Sequence, residues 1–144
     1  MKKYTIIFAA IGFLVSACSN DDNAGDNINS EKLIATWIPT TITVDGETFP
    51  YDDHEDCGFD TIRFQSNGQG TITDVFECDE VSTTFTYTLS NERLEITSSG
   101  VTLEATIIEL STETLILQSE WDYDDDGDTE IVIEAYESGV TISE

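Results

Sequence analysis

The nine residues Val81-Ser82-Thr83-Thr84-Phe85-Thr86-Tyr87-Thr88-Leu89 (VSTTFTYTL) alternate with a period of two. Odd positions carry Val, Thr, Phe, Tyr and Leu, while every even position is Ser or Thr. That period belongs to a strand that lays one face on a core and shows the other to water. The same alternation recurs outward in both directions. Ile62 with Phe64, Ile72 with Phe76, and Leu94 with Ile96 mark three further strands. Val101, Leu103, Ala105 and Ile107 continue it until the pattern slips at Ile108, where a β-bulge is expected. Leu115, Leu117 and Trp121 follow, then Ile131, Ile133 and Ala135 as the core face of the last strand. An opening strand through Ile34, Trp37 and Val44 brings the count to eight.

Turn residues separate these runs: Ser66-Asn67-Gly68, Ser90-Asn91, Ser98-Ser99-Gly100 and Asp126-Gly127. Many short strands joined by tight turns predict an all-β antiparallel meander, closed as an up-and-down barrel or packed as a sandwich. Closure removes edge strands, and eight strands enclose either their own side chains or one small ligand.

The chain before the first strand has another organisation. Met1-Lys2-Lys3 is a short positive start, Tyr4 to Val15 an apolar run, and Ser16-Ala17 a pair of small residues ahead of Cys18. This is the layout of a secretory signal, too short for a membrane-crossing helix of about 20 apolar residues. Val15-Ser16-Ala17-Cys18 resembles the bacterial lipobox, which implies a lipoprotein signal peptide over 1–17 and Cys18 as the lipidated first residue. Several acyl chains on one residue would give stable attachment. Residues 18–30 comprise the lipidated cysteine and a flexible acidic tether, Ser19–Ser30, with a reach of at most ~40 Å. Ser19-Asn20-Asp21-Asp22 resembles the Ser-plus-acidic signal for the outer face of the outer membrane. The expected location is therefore the outer membrane by lipid anchor, at the cell surface, with its periplasmic face as the alternative.

Residues 31–144 are enough for one domain and one core. Loss of Lys2 and Lys3 leaves three basic residues against thirty acids, a formal charge of −27 against −25 for the full chain. Such a field repels nucleic acid and anionic head groups and attracts cations. A soluble monomeric domain is the expectation.

The chain also resembles the bacterial lipocalin-like domains carried on lipoproteins. Leu33-Ile34-Ala35-Thr36-Trp37 is similar to their opening L-x-G-T-W, with Ala35 in place of Gly. TIRFQSNGQG (Thr61–Gly70) is similar to their second strand and turn, and IIELSTETLIL (Ile107–Leu117) to their late hairpin. The resemblance implies an eight-stranded lipocalin-like barrel that binds a small hydrophobic molecule in its mouth. The residues expected to line it are Trp37, Phe64, Phe85, Tyr87, Leu117 and Ile133. The rival reading is a filled-core acidic module that presents its shell to proteins or glycans.

An odd number of cysteines leaves one without an intramolecular partner, and lipidation of Cys18 accounts for it. Cys57 and Cys78 are then expected to form a structural disulfide in an oxidising compartment. Without a CxxC pair or a second histidine, zinc and redox chemistry are poor readings. His54, in YDDHEDC, is the only histidine and is expected to be a solvated loop residue. With no nucleophile motif such as G-x-S-x-G, an enzyme is not expected, and no cofactor is required.

Trp121–Glu130 (WDYDDDGDTE) carries the one metal-like pattern. Asp122, Asp124 and Asp126 alternate ahead of Gly127, as in the first half of a calcium loop. Twelve residues on stands Ile133 rather than a bidentate glutamate, and the flanks are strands, so this is no EF-hand. A three-residue loop Asp125-Asp126-Gly127 would set Trp121 opposite Ile131 and Leu117 opposite Ala135. It would also set Asp124 opposite Asp128 and Asp122 opposite Glu130. Opposed like charges repel, and a Ca²⁺ ion held by Asp122, Asp124, Asp126, Asp128 and Glu130 would relieve them.

Overall fold

The computed structural model describes residues 28–139. The lipobox, Cys18, most of the tether and residues 140–144 lie outside them. A single helical turn, α1 (Ser30–Leu33), opens the described chain, with the Asn29 side chain capping the Glu31 amide at 3.0 Å. Nine strands follow: β1 (Thr36–Val44), β2 (Glu47–Pro50), β3 (Thr61–Phe64), β4 (Gln69–Phe76), β5 (Asp79–Ser90), β6 (Arg93–Ser98), β7 (Val101–Leu110), β8 (Thr114–Trp121) and β9 (Glu130–Ser138). All neighbours are antiparallel, and β9 returns to pair with β1, which closes β1 and β3–β9 into an eight-stranded barrel. The short β2, which sequence alternation does not mark, pairs with the end of β1 outside the barrel. Its hairpin turns on Asp45 and Gly46, both at positive φ, as a two-residue turn requires.

Three of the four turns expected from the sequence, Ser66-Asn67-Gly68, Ser90-Asn91 and Ser98-Ser99-Gly100, join consecutive strands. The bulge expected at Ile108 is present as a register shift between Ile107 and Glu109. A second bulge follows Pro39 in β1, where a residue without an amide hydrogen is tolerated, and the Thr40 hydroxyl donates to the Ala135 carbonyl at 3.0 Å. The opening strand starts later than the alternation suggests: Ile34 caps α1 instead of extending β1.

One end of the barrel is closed by packed side chains. α1 places Leu33 over it, and the buried Trp37 indole donates to the Leu33 carbonyl at 3.1 Å. The Phe64 ring meets Phe85 and Tyr87 edge-on, at centroid separations of 5.4 and 5.0 Å. Each such ring or leucine contributes roughly 1.5–3 kcal/mol on burial. Gly70, opposite Phe85, leaves room for that ring, since a Cβ there would stand 2.1 Å from Phe85 Cζ and 2.5 Å from the Arg63 carbonyl. The last glycine of TIRFQSNGQG therefore exists to admit a neighbouring aromatic side chain.

β9 corrects the sequence reading. Its inward residues are Val132, Glu134 and Tyr136, while Ile131 and Ile133 face outward. Both faces of the strand hold apolar residues, so alternation alone chose the more hydrophobic one. Pairing decides otherwise: Leu115, Leu117 and Ser119 of β8 point inward, and their partners are Tyr136, Glu134 and Val132. The β8–β9 register is likewise displaced by one from expectation. Trp121 lies opposite Glu130, Leu117 opposite Glu134, and residues 122–129 form an eight-residue loop instead of a three-residue turn.

Candidate functional site

Beyond the aromatic plug, inward residues of β1, β3, β4 and β6–β9 line a cavity of about 240 Å³. Pro39 lies past Trp37 on β1, Ile72 past Gly70 on β4, Ile96 past Leu94 on β6, and Leu117 and Ser119 past Leu115 on β8. One wall is apolar, made by Ile62, Ile72, Ile96, Leu103 and Leu117. The other holds three carboxyls and four hydroxyls: Asp60, Asp74 and Glu134 with Tyr51, Thr61, Ser119 and Tyr136. Among the described residues no lysine, arginine or histidine lines it.

Partners differ within the polar wall. Asp60 is buried, and both its oxygens are occupied: Oδ1 accepts from the Val75 amide and Oδ2 from the Tyr51 hydroxyl, each at 2.7 Å. Burial, then the hydrogen bond to Asp60, push the Tyr51 phenol above its ordinary range. Glu134 accepts from the buried Tyr136 hydroxyl two residues along the same face. Burial raises the Glu134 carboxyl, with the Tyr136 hydrogen bond acting against it, and burial beside Glu134 raises the Tyr136 phenol strongly. Asp74, at the exposed rim, is raised by partial desolvation and by the negative Asp60. Ser119 is 4% exposed, and its hydroxyl oxygen has no hydrogen-bond partner.

Residues 51–60 form a flap that supplies Tyr51 and Asp60 to this wall. It is stapled at several points. Cys57 and Cys78 are disulfide-bonded with Cα atoms 5.7 Å apart, as the cysteine count predicts. The Glu55 carboxylate accepts the Glu77 and Cys78 amides at 2.7 and 2.9 Å. Those two residues form the β4–β5 turn at positive φ, a turn that no glycine or asparagine announces. His54 is not the solvated residue expected. Its Nε2 donates to the Pro39 carbonyl at 2.8 Å, its Nδ1 accepts from the Asp60 amide at 3.3 Å, and its ring packs between Tyr51 and Phe59. Both contacts suit the neutral ring with its proton on Nε2, so His54 positions the flap.

Of the six residues expected to line a ligand site, Leu117 does so. Trp37, Phe64, Phe85 and Tyr87 instead pack together at the closed end, and the Tyr87 hydroxyl donates to the Gln65 carbonyl at 2.7 Å. Ile133 faces out, paired with Gln118 and Thr43. The polar lining went unread because Glu134 and Tyr136 stand on what alternation makes the solvent face. The signal available was the run Ile131-Val132-Ile133-Glu134-Ala135-Tyr136, in which the less hydrophobic face still carries Val132 and Tyr136.

In the acidic hairpin, carboxylate oxygens of Asp122, Asp124 and Glu130 lie within 4.8 Å of one another. Asp126 and Asp128 do not join them. Asp126 accepts the Asp128 amide at 2.9 Å, and the longer loop removes the Asp124–Asp128 opposition. Asp122 Oδ2 accepts the Gly127 amide at 3.0 Å, while its Oδ1 has no hydrogen-bond partner.

Two solved structures show likeness of shape. Aphrodisin, described as a sex pheromone from female hamster, is 17% identical, with a TM-score of 0.45 over 77% of this chain and 78% of that chain. A deswapped triple mutant of bovine odorant-binding protein is 15% identical, with a TM-score of 0.44 over 78% of each chain. Comparison with curated protein sequences finds no match. A family model described as a lipocalin-like domain matches residues 33–117, from the L-x-x-T-W opening through the late hairpin. With that match over more than half its length, and with a closed eight-stranded antiparallel barrel, this chain belongs to the lipocalin-like domain family.

Proposed function

We propose that this protein is a lipid-anchored, non-catalytic binding protein that holds one small, largely hydrophobic molecule inside its barrel. The observation that carries the reading is the cavity of about 240 Å³ with five aliphatic side chains on one wall. A filled-core interaction module would leave no such space at interior packing density. The signal-like segment 1–17 and the lipobox at Cys18 support attachment to the outer membrane, and the acidic tether supports display at the cell surface.

The test is titration calorimetry of the full chain in lipid nanodiscs, using phenethyl alcohol as the probe. Ser119→Leu would place an aliphatic side chain in the cavity and remove an unpartnered hydroxyl. The variant is expected to abolish the one-to-one binding seen for the parent and to raise stability by about 1 kcal/mol. Equal binding by parent and variant would place the probe elsewhere and sink the cavity reading.

The acidic hairpin supports a second, weaker role as a calcium site with Asp122, Asp124 and Glu130 as ligands. Calcium at ten times a millimolar Kd would add about 1.4 kcal/mol, a rise of a few degrees in melting temperature. Asp124→Asn should cancel that rise and Asp128→Asn should not, because Asp128 stands outside the cluster. No calcium effect on the parent, or equal effects on both variants, would end this reading.

A further inference from the structure

Resting on the cavity reading above, we infer that the bound molecule is a small amphipathic amine, its ammonium group against Glu134 and its apolar body against Ile62, Ile72, Ile96 and Leu117. Buried charges in proteins are paired or hydrogen-bonded, because an isolated one is too costly. This cavity concentrates three carboxyls and offers no basic side chain among its described lining residues. The missing positive partner is therefore one that the ligand supplies.

Glu134 is the carboxyl free to receive it. Both oxygens of Asp60 are committed to Val75 and Tyr51, and Asp74 sits at the exposed rim. Glu134 lies inside, and its partner among the described residues is the Tyr136 hydroxyl, which leaves acceptor capacity on a group with two oxygens. Ser119 is the diagonal neighbour of Glu134 on the same inner face, since Leu117 pairs with Glu134 and Ser119 with Val132. Its buried, unpartnered oxygen is a second acceptor beside the carboxylate. An ammonium group offers three donors and no acceptor, which suits this arrangement. The raised Glu134 carboxyl is what burial without a cation produces.

Size and charge narrow the class further. The volume falls below the ~300–1,000 Å³ of pockets that hold drug-sized ligands, so a long-chain lipid does not fit. An anionic ligand would meet three carboxyls in a domain whose whole field is negative.

The experiment compares three probes of similar shape on the full chain in nanodiscs at neutral pH: phenethylammonium, phenethyl alcohol and phenylacetate. Ser119→Leu in identical nanodiscs provides the baseline. The ammonium is expected to bind at least about tenfold more tightly than the alcohol, because its hydrogen bonds to a carboxylate are charge-assisted. Phenylacetate is expected to bind most weakly. Glu134→Gln should reduce ammonium binding to the level of the alcohol while alcohol binding persists, which also shows that the variant is folded. Alcohol or phenylacetate binding as tight as ammonium would overturn the amine inference and leave the cavity reading standing. An ammonium preference that survives in Glu134→Gln would overturn the assignment to Glu134. Binding of none of the three above the baseline would overturn both readings.

Discussion

Replacing Cys57 and Cys78 together by serine is expected to lower the melting temperature by on the order of 10 °C. The bond closes a loop over a sequence separation of 21 residues, and in the chain-entropy model that stabilises the fold by about 3 kcal/mol. For a domain near 100 residues each kcal/mol is worth roughly 4–8 °C. The effect should exceed that of removing an exposed link elsewhere, because the disulfide ties the flap to the β4–β5 turn at the same point as Glu55. Without it, the Glu77 and Cys78 amides rely on that one carboxylate to hold a turn at positive φ. The flap also carries Asp60, whose carboxylate satisfies the buried Val75 amide. An unpaired buried amide costs about 1–3 kcal/mol, so freeing the flap propagates into β4. Thermal melts of the parent, the reduced parent and the double variant test this, with amide exchange at Val75 as the local readout. Coincident melts for oxidised and reduced protein would show that the flap is held without the bond.

What the sequence made legible followed from period and turn chemistry. VSTTFTYTL announced β5, and the slip at Ile108 announced the bulge, because a strand with one wet face has little freedom in its pattern. The disulfide followed from counting cysteines. The binding wall was not legible, for a physical reason. Alternation assigns the more hydrophobic face of a strand inward, and at a site that turns a carboxylate and a phenol into the core this rule selects the wrong face. β9 is that case: Ile131 and Ile133 are outside, and Glu134 and Tyr136 are inside. The aromatic residues expected around a ligand became the packed plug because Gly70 lets Phe85 and Phe64 meet. A departure from local consistency is itself a pointer to function. Here it marks the same strand that supplies Glu134.

The second large effect concerns that carboxyl. Burial raises Glu134 above its unfolded value, and partial burial does the same to Asp74. An acid with a raised folded pKa binds more protons when folded. Its stabilising contribution is complete below the ordinary carboxylate range and is lost as pH rises through the raised value. The empty barrel should therefore be more stable at mildly acidic than at mildly alkaline pH, and relief of self-repulsion in a chain of charge −25 acts in the same direction. Glu134→Gln removes the titrating group at nearly constant volume. Every tenfold difference in proton affinity between the folded and unfolded carboxyl is worth about 1.4 kcal/mol, or several degrees. The variant should melt higher than the parent at mildly alkaline pH and converge with it in acid, whereas Glu120→Gln, at an exposed position, should track the parent. A Glu134→Gln curve parallel to or below the parent would mean that this carboxylate already has a compensating partner when the barrel is empty. Phenethylammonium supplies the complementary measurement, since it should raise the parent's melting temperature most where Glu134 is charged. A residue whose replacement stabilises the barrel and erases its preference for a cation is retained for recognition at the expense of stability.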